Sequence, residues 1–298
     1  MLLKKRRLST DIVVFQVISM LIVTFVTLLC LVPFIMVISA SFSDEASIYK
    51  YGYRLLPRVF SLEAYKTIFQ APQNILNAYK ISIMLTVFGT LLGLFLTSMA
   101  AYVLQKKEFR YRNHISFIFY FTSIFGGGMV PFYLLMTRYL QLKDTFWAMF
   151  IPPLITAWNI VLLRNFFKTV PGSIAESAKI DGASEFIIFL RLYLPISKPG
   201  LATVGLFLGL SYWNNWWLAM IFIENKELYP LQYVLYNMMN SFKFAEVIAK
   251  EAGIPMPRLP QQSFKMAMAV VTTGPIILFY PYLQKYMIKG LTIGSIKG

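Results

Sequence analysis

Six stretches of this chain carry no Asp, Glu, Lys or Arg: 12–40, 81–105, 115–137, 145–163, 199–223 and 266–284. A helix needs about 20 apolar residues to cross the hydrocarbon core of a bilayer, so each stretch is a candidate span. Backbone in lipid has to satisfy its own hydrogen bonds, and a helix does so within one segment. The expected fold class is therefore all-α, a polytopic membrane protein with six transmembrane helices. Composition points the same way. Of 298 residues 57% are apolar and 14% charged, against about 25% charged in a soluble domain. So few charges could not cover a soluble surface, which excludes a soluble enzyme and a disordered chain. The first span follows Lys4, Lys5, Arg6 and Arg7, but its apolar core of about 29 residues is too long for a cleaved signal peptide, whose apolar region has about 7–15.

The net charge of +15 has two readings, nucleic-acid binding or membrane topology. With the N-terminus taken as cytoplasmic, the inner segments 1–11, 105–114, 164–198 and 285–298 hold 16 basic and 5 acidic residues. The outer segments 41–80, 138–144 and 224–265 hold 12 and 8. The excess lies inside and brackets the spans, as the positive-inside rule requires. It forms no single patch, so no nucleic-acid partner is expected. Cys30 is the one cysteine and lies in an apolar run, so there is no disulfide framework. His114 has no Cys or Asp beside it, and no metal site is expected.

Several spans contain helix breakers: Pro33, Pro152, Pro153, Pro275, Pro281, and Gly126-Gly127-Gly128 followed by Pro131. Three glycines at mid-membrane cost helix stability. They fit either a bend along a pathway, with Gly127 at its centre, or close helix packing through small residues.

The cytoplasmic segment 171–195 is the most informative. Ser173 and Glu176 have the S-x-x-E spacing of a capping box, which predicts a short helix from Ile174. Gly182 follows Asp181 where a helix would end in a left-handed residue. Ser184 can cap a second helix, which Pro195 would limit. Phe186, Phe189 and Leu190 share one face of that helix. The result is a helix–turn–helix elbow, readable either as an ordinary loop packed on its own bundle or as a surface for a cytoplasmic partner.

The same residues resemble a known family. Glu176-Ser177-Ala178, Gly182 after three intervening residues and Leu192-Tyr193-Leu194-Pro195 after nine more have the spacing of the E-A-A…G…I-x-L-P motif of bacterial ABC importer permeases. Ser177 and Leu192 replace the usual Ala and Ile, and Asp181-Gly182-Ala183 matches the common D-G-A core. The ending Lys289-Gly-Leu-Thr-Ile-Gly-Ser-Ile-Lys-Gly298 is similar to the tail of the maltose-transporter permease and its oligosaccharide relatives. Phe125–Pro131, Leu228–Gln232 and Tyr280–Lys285 look like the subgroup handling complex polysaccharide fragments.

The resemblance implies a type I importer permease fold, one transmembrane domain over 1–298, with a coupling loop at 171–195 and a tail at 289–298 reaching between ATPase subunits. It implies a homologous second permease, two cytoplasmic ATPases that bind ATP and Mg, an extracytoplasmic binding protein and an oligosaccharide cargo. It also implies a multi-pass chain of the bacterial cytoplasmic membrane with both termini inside. The chain itself would have no catalytic residue and no cofactor, and it lacks a G-x-x-x-x-G-K-[S/T] loop. Glu176, Ser177, Ala178, Asp181, Gly182, Ala183, Phe186, Leu194 and Pro195 would dock on an ATPase. Glu176 could pair there with a basic residue or stabilise its own helix. A uronic-acid-containing cargo is compatible with the basic outer loops.

At 100° per residue Gly205, Gly209, Tyr212, Asn215, Trp216 and Ala219 fall on one helical face. Asn215 is eight residues before Ile223, about 12 Å inward at helical rise, and a buried amide needs a partner. The face suits a sugar pathway and equally a partner helix. The loop 224–265, with Pro255, Pro257 and Pro260, could meet a binding protein or be solvated. The main alternative, a secondary transporter or channel, would want ionisable residues within the spans. A membrane-embedded enzyme would want a converging acid, base or nucleophile cluster.

Overall fold

The computed structural model describes residues 10–70, 72–251 and 261–294. Among them the regular structure is helical, apart from one isolated bridge between Ser43 and Phe60. The chain divides into two compact units, residues 1–70 with 241–273 and residues 71–240 with 274–298.

In the first unit, α1 (Thr10–Ser41) has exposed apolar side chains around most of its circumference, from Phe15 and Met20 to Leu29 and Phe34. A helix apolar all round wants lipid rather than water. Two short helices follow, α2 (Glu45–Tyr51) and α3 (Glu63–Ile68). Asp44 caps α2 through Ser47 N. Phe42 stacks on Tyr65 at 4.9 Å and on Phe60 at 5.6 Å. Buried Glu45 accepts from Gln262 N, Ser263 N and Ser263 Oγ at 2.8–2.9 Å. Those donors open the last helix, α15 (Gln261–Gly294), so a carboxylate sits on the positive end of its dipole.

The second unit is built on α4 (Pro72–Gln105). The chain then makes α5 (Arg112–Ile124) and α6 (Met129–Leu134), which continues as a π-helical turn Leu135–Tyr139. Next come α7 (Phe146–Phe150), α8 (Ala157–Phe167) and α9 (Gly172–Ile180). α10 (Glu185–Ile188) runs through a second π turn, Phe189–Tyr193, into α11 (Leu194–Ile196). α12 (Lys198–Trp213) and α13 (Trp217–Phe222) follow, and α14 (Leu231–Glu251) precedes α15.

Small residues let α4 and its neighbours approach closely. A Cβ on Gly89 would lie 2.4–2.7 Å from the Tyr212 ring, and one on Gly93 2.8 Å from Leu154 O. Two apolar clusters result. One gathers Ile81, Leu85, Met149, Phe150, Tyr212 and Phe222. The other gathers Tyr102, Leu163, Phe167, Phe189, Tyr193 and Val204.

The helices differ from six uninterrupted spans. Among the described residues Val14–Ser41 and Pro72–Gln105 are long and apolar enough to cross a membrane unbroken. Two bent pairs raise that to four if each pair is one span: Arg112–Ile124 with Met129–Tyr139, bent by 113°, and Glu185–Ile196 with Lys198–Trp213, bent by 85°. The stretch 145–163 is broken between α7 and α8 around Pro152 and Pro153, and 199–223 is broken at 214–216. At Gly126–Gly128 the bend is real, with Gly128 at φ +85°. Close packing is absent there among the described residues. An added Cβ meets nothing within 4 Å at Gly126 and only Pro131 Cβ, at 3.8 Å, at Gly127.

Candidate functional site

The elbow forms, but its first helix starts earlier than the capping box would place it. Pro171, extended at φ −61° and ψ 130°, is the N-cap, and its carbonyl accepts from Ile174 N at 3.3 Å. Proline's fixed φ commits the chain at that point. Ser173 is thereby already inside the helix and caps nothing. Among the described residues no donor reaches the carboxylate of Glu176 or Asp181. Glu176 thus makes no capping hydrogen bond and lies beyond the first turn of α9, and both residues are exposed.

The turn itself has the left-handed form. Gly182 sits at φ +80°. Its N–H donates to Lys179 O at 3.0 Å, and Ala183 N donates to Ala178 O at 2.9 Å, as at a helix end closed by a glycine. A Cβ on Gly182 would meet no atom within 4 Å, so conformation alone demands the glycine. Ser184 caps α10 by accepting from Ile187 N at 3.4 Å. The helical backbone ends one residue past Pro195, at Ile196, before the chain bends by 85° into α12.

The elbow exposes apolar groups in a segment rich in charge. Ile180 is 86% exposed and Phe186 52%, and Ile187 and Leu190 are exposed too. Ser177 is also exposed. Phe189, placed by its spacing on the same stripe as Phe186, instead points into its own bundle with Ile188 and Tyr193. Ala175, Ala178, Ala183 and Leu194 pack half-buried against that cluster. Ile180 and Ile187 escaped the sequence reading. Ile180 stands two residues before Gly182, where no periodic apolar pattern marks it.

A polar cluster fixes the elbow to α4. Glu185 Oε2 accepts from Tyr102 Oη at 2.7 Å and is ion-paired with Lys106. Its Oε1 pairs with Lys179 at 2.9 Å. Lys106 Nζ also lies 4.5 Å from the Tyr102 ring centre. Sequence spacing offered no signal for this cluster, since its partners are about 80 positions apart.

The face 205–219 is largely closed within the chain. Gly209 lies opposite Thr90 and Gly205 opposite Leu94. Tyr212 is buried with its ring over Gly89, and its hydroxyl donates to Phe150 O at 2.7 Å. The helix ends at Trp213, so Asn215, Trp216 and Ala219 do not continue its face. Asn215 Oδ1 caps α13 by accepting from Leu218 N at 3.1 Å. Asn214 Oδ1 accepts from Gln232 Nε2 at 3.2 Å. Trp216 is part-exposed and stacks on Tyr236 at 4.6 Å.

On the predicted outer side, Asp144 has φ +58° and Oδ1 accepting from Glu224 N at 2.9 Å and Asn225 N at 2.8 Å. Those backbone donors hold its carboxyl below the usual Asp range. Lys143 pairs with Glu224 at 2.6 Å, which raises the lysine's proton affinity. The 224–265 loop is largely helical in its described part, as α14, while Pro255, Pro257 and Pro260 lie outside the described residues. In the tail, Lys289–Gly294 is the helical end of α15 rather than extended chain, and 295–298 lies outside the described residues.

Comparison with known proteins gives a consistent result. The family model described as "Binding-protein-dependent transport system inner membrane component" matches residues 89–293. The polygalacturonan/rhamnogalacturonan transport system permease protein YtcP of Bacillus subtilis is 38% identical over 91% of this chain and 94% of its own. Protein LplC of the same organism is 37% identical over 96% and 95%. A solved bacterial ABC transporter involved in the import of the acidic polysaccharide alginate has a chain that superposes with TM-score 0.77. It is 31% identical, covering 94% of this chain and 98% of that one.

Proposed function

This chain belongs to the binding-protein-dependent transport system inner membrane components, and from that premise we propose that it forms half of a pore importing an acidic oligosaccharide. It is a membrane-embedded ABC importer permease for carbohydrate, and it is not an enzyme; ATP is hydrolysed by separate ATPase subunits. The other half of the pore is a homologous but different permease. Two ATPases bind ATP and Mg beneath the pair, and an extracytoplasmic binding protein delivers the sugar. Both termini lie in the cytoplasm, on the side of the positive-charge excess.

The observation that carries the coupling reading is the elbow. A glycine turn at φ +80° projects Ile180, 86% exposed, beside the free carboxylates of Glu176 and Asp181. Exposed apolar groups framed by charge fit a partner cleft. Ser177, Ala178 and Ala183 keep the surface low enough for close approach, Phe186 adds an apolar contact, and Leu194 and Pro195 carry the movement into α12. ATP binding draws the ATPases together, and the two elbows pull the permeases toward an outward-facing state. Hydrolysis resets them inward. The ligand's differential affinity for the two states drives the cycle.

The acidic cargo is supported by the substrates named for two of the relatives above and by the segment after α1. There Lys50, Arg54 and Arg58 lie 4.2–5.8 Å from the Tyr51 ring centre. Among the described residues none of the three is ion-paired, since Asp44 and Glu45 bind backbone amides instead. Such a cation–aromatic group suits a carboxylated sugar ring. In the interior, Gly127 at the 113° bend and part-exposed Trp216 remain candidates for the pathway. Gly205, Gly209, Tyr212 and Asn215 would act indirectly, by setting its walls.

The test is uptake into proteoliposomes holding this chain, its second permease and the ATPases, with binding protein outside. Oligogalacturonides should accumulate only with ATP, and neutral maltooligosaccharides should not. Uptake by this chain without ATPase would replace the proposal with a channel or secondary transporter.

A further inference from the structure

The carboxylate of Glu185 joins three segments. Lys179, on its Oε1, ends α9, the first half of the elbow. Glu185 opens α10, the second half. Tyr102 and Lys106, on its Oε2, belong to the inner end of α4 and the residue beyond it. Tyr102 Oη also lies 3.3 Å from Glu185 O. The Tyr102 ring in turn meets Tyr193 edge-on at 4.8 Å and Phe189 at 5.2 Å. Most of the rest of the elbow is free. In α9 only Ala175 and Ala178 are partly buried, and a Cβ at Gly182 would meet no atom within 4 Å.

A force applied at Ile180 and Gly182 therefore has two routes into the membrane. One is the apolar side of α10, through Ile188, Phe189 and Tyr193. The other is Glu185, and this alone ties α9 to α4 by polar contacts among the described residues. α4 is 34 residues long, about 50 Å at helical rise. Its far half packs Ile81, Leu85 and Gly89 around Phe150 and Tyr212. Displacing its inner end moves a rigid rod whose other end shapes the opposite side of the unit.

We infer that Glu185, gripped by Tyr102, Lys106 and Lys179, is a positioning residue that latches the coupling elbow to α4, so that ATPase movement is converted into substrate movement. The inference rests on the elbow being the ATPase contact. Charge and geometry favour a latch over simple packing. A carboxylate with three donors holds direction as well as distance. It is also part-exposed, its side chain being 53% accessible, so it adds little to the buried core.

The decisive quantity is sugar imported per ATP hydrolysed in reconstituted complexes. Glu185→Gln keeps an acceptor for Tyr102 but removes both ion pairs. The expected result is a fall of fivefold or more in that ratio, with both ATPases still co-purifying. Lys106→Gln should lower it similarly, and the double variant should be little worse than either single one, because both remove the same link. An unchanged ratio in Glu185→Gln would overturn the inference, as would loss of the ATPases or of the folded chain, which would make Glu185 a docking or folding residue. Gly182→Leu run in parallel separates the two levels: if it imports normally, the elbow reading itself fails, whatever Glu185 does.

Discussion

The elbow at 171–196 and the segment 198–222 are consecutive in the chain and opposite in design. In the elbow, side chains that would normally seek partners are left without them. Ile180 is exposed, Glu176 and Asp181 bind nothing among the described residues, and a Cβ added at the left-handed Gly182 would meet no atom within 4 Å. In 198–222 the special residues are used up internally. Gly209 admits Thr90, Tyr212 fills the notch at Gly89 and bonds Phe150 O, and Asn215 caps the next helix. Small, aromatic and amide residues look alike in a sequence, whether they serve a ligand or a neighbouring helix. What separates the two regions is whether each polar and apolar group has been satisfied.

The largest effect should come from breaking the turn. Gly182→Leu puts a Cβ at φ +80°, a backbone region that costs an L-residue roughly 1–2 kcal/mol, and in the proposed coupling would drive a bulky group into the partner cleft. Uptake should fall to background while membrane insertion is kept and the melting temperature drops by only a few degrees. Undiminished uptake would remove the elbow from the mechanism. In 198–222 the corresponding insult is Gly89→Val. Its Cβ would lie 2.4 Å from the Tyr212 ring, and overpacking of this kind costs about 1–3 kcal/mol. Detergent-solubilised protein should melt lower and be recovered in smaller yield. Gly205→Ala is the control, since its Cβ would sit at an ordinary 3.5 Å from Leu94 and stability should barely change.

Ile180→Ser sharpens the same contrast. The side chain is 86% exposed in the chain alone, so its loss should leave the melting temperature within a degree or so. If it is buried against an ATPase, losing the contact costs roughly 1.5 kcal/mol, about a tenfold weaker association. A titration of ATPase against the reconstituted permease pair measures this directly. Equal affinities for the parent and Ile180→Ser would show that the exposed isoleucine faces water.

Local signals were legible where the chemistry was local. The left-handed Gly182 and the Ser184 cap could both be read, because each depends on residues within four positions. The Ser173–Glu176 box could be read and was still misleading, since Pro171 starts the helix before the serine can cap it. The broken spans followed the same logic. Pro152, Pro153 and Gly126–Gly128 announced interruption, but the break after Trp213 had no such marker. No local signal links Glu185 to Lys106. Their meeting is a product of tertiary packing about 80 positions apart, which no periodicity records. The tight seat of Tyr212 depends likewise on Gly89, more than 100 positions earlier.

Tyr212→Phe tests whether 198–222 is purely structural. It removes the bond to Phe150 O, 2.7 Å long in a buried site, and should cost about 1–2 kcal/mol of stability. Uptake per folded complex should be unchanged, and so should the preference among oligosaccharides. A changed preference would return this face to the substrate pathway.

The smallest effect concerns the staple at Asp144, and it separates the two regions by pH. The Asp144 carboxylate accepts from Glu224 N and Asn225 N, which lowers its pKa relative to the unfolded chain. A depressed carboxyl pKa stabilises the folded state above the ordinary Asp value, and that stabilisation fades as pH falls below about 4. The amides of Glu224 and Asn225 should therefore exchange with solvent progressively faster below that pH, after correction for intrinsic rates. The elbow has no such carboxylate–amide staple, because Ser184 caps α10 with a hydroxyl, and it should show no matching change at Ile187 N. Asp144→Asn keeps an acceptor oxygen but cannot titrate. In that variant the acid-induced opening at 224–225 should disappear, leaving a modestly faster exchange at all pH values. Persistence of the acid step in Asp144→Asn would assign it to another group and would leave Asp144 a spectator.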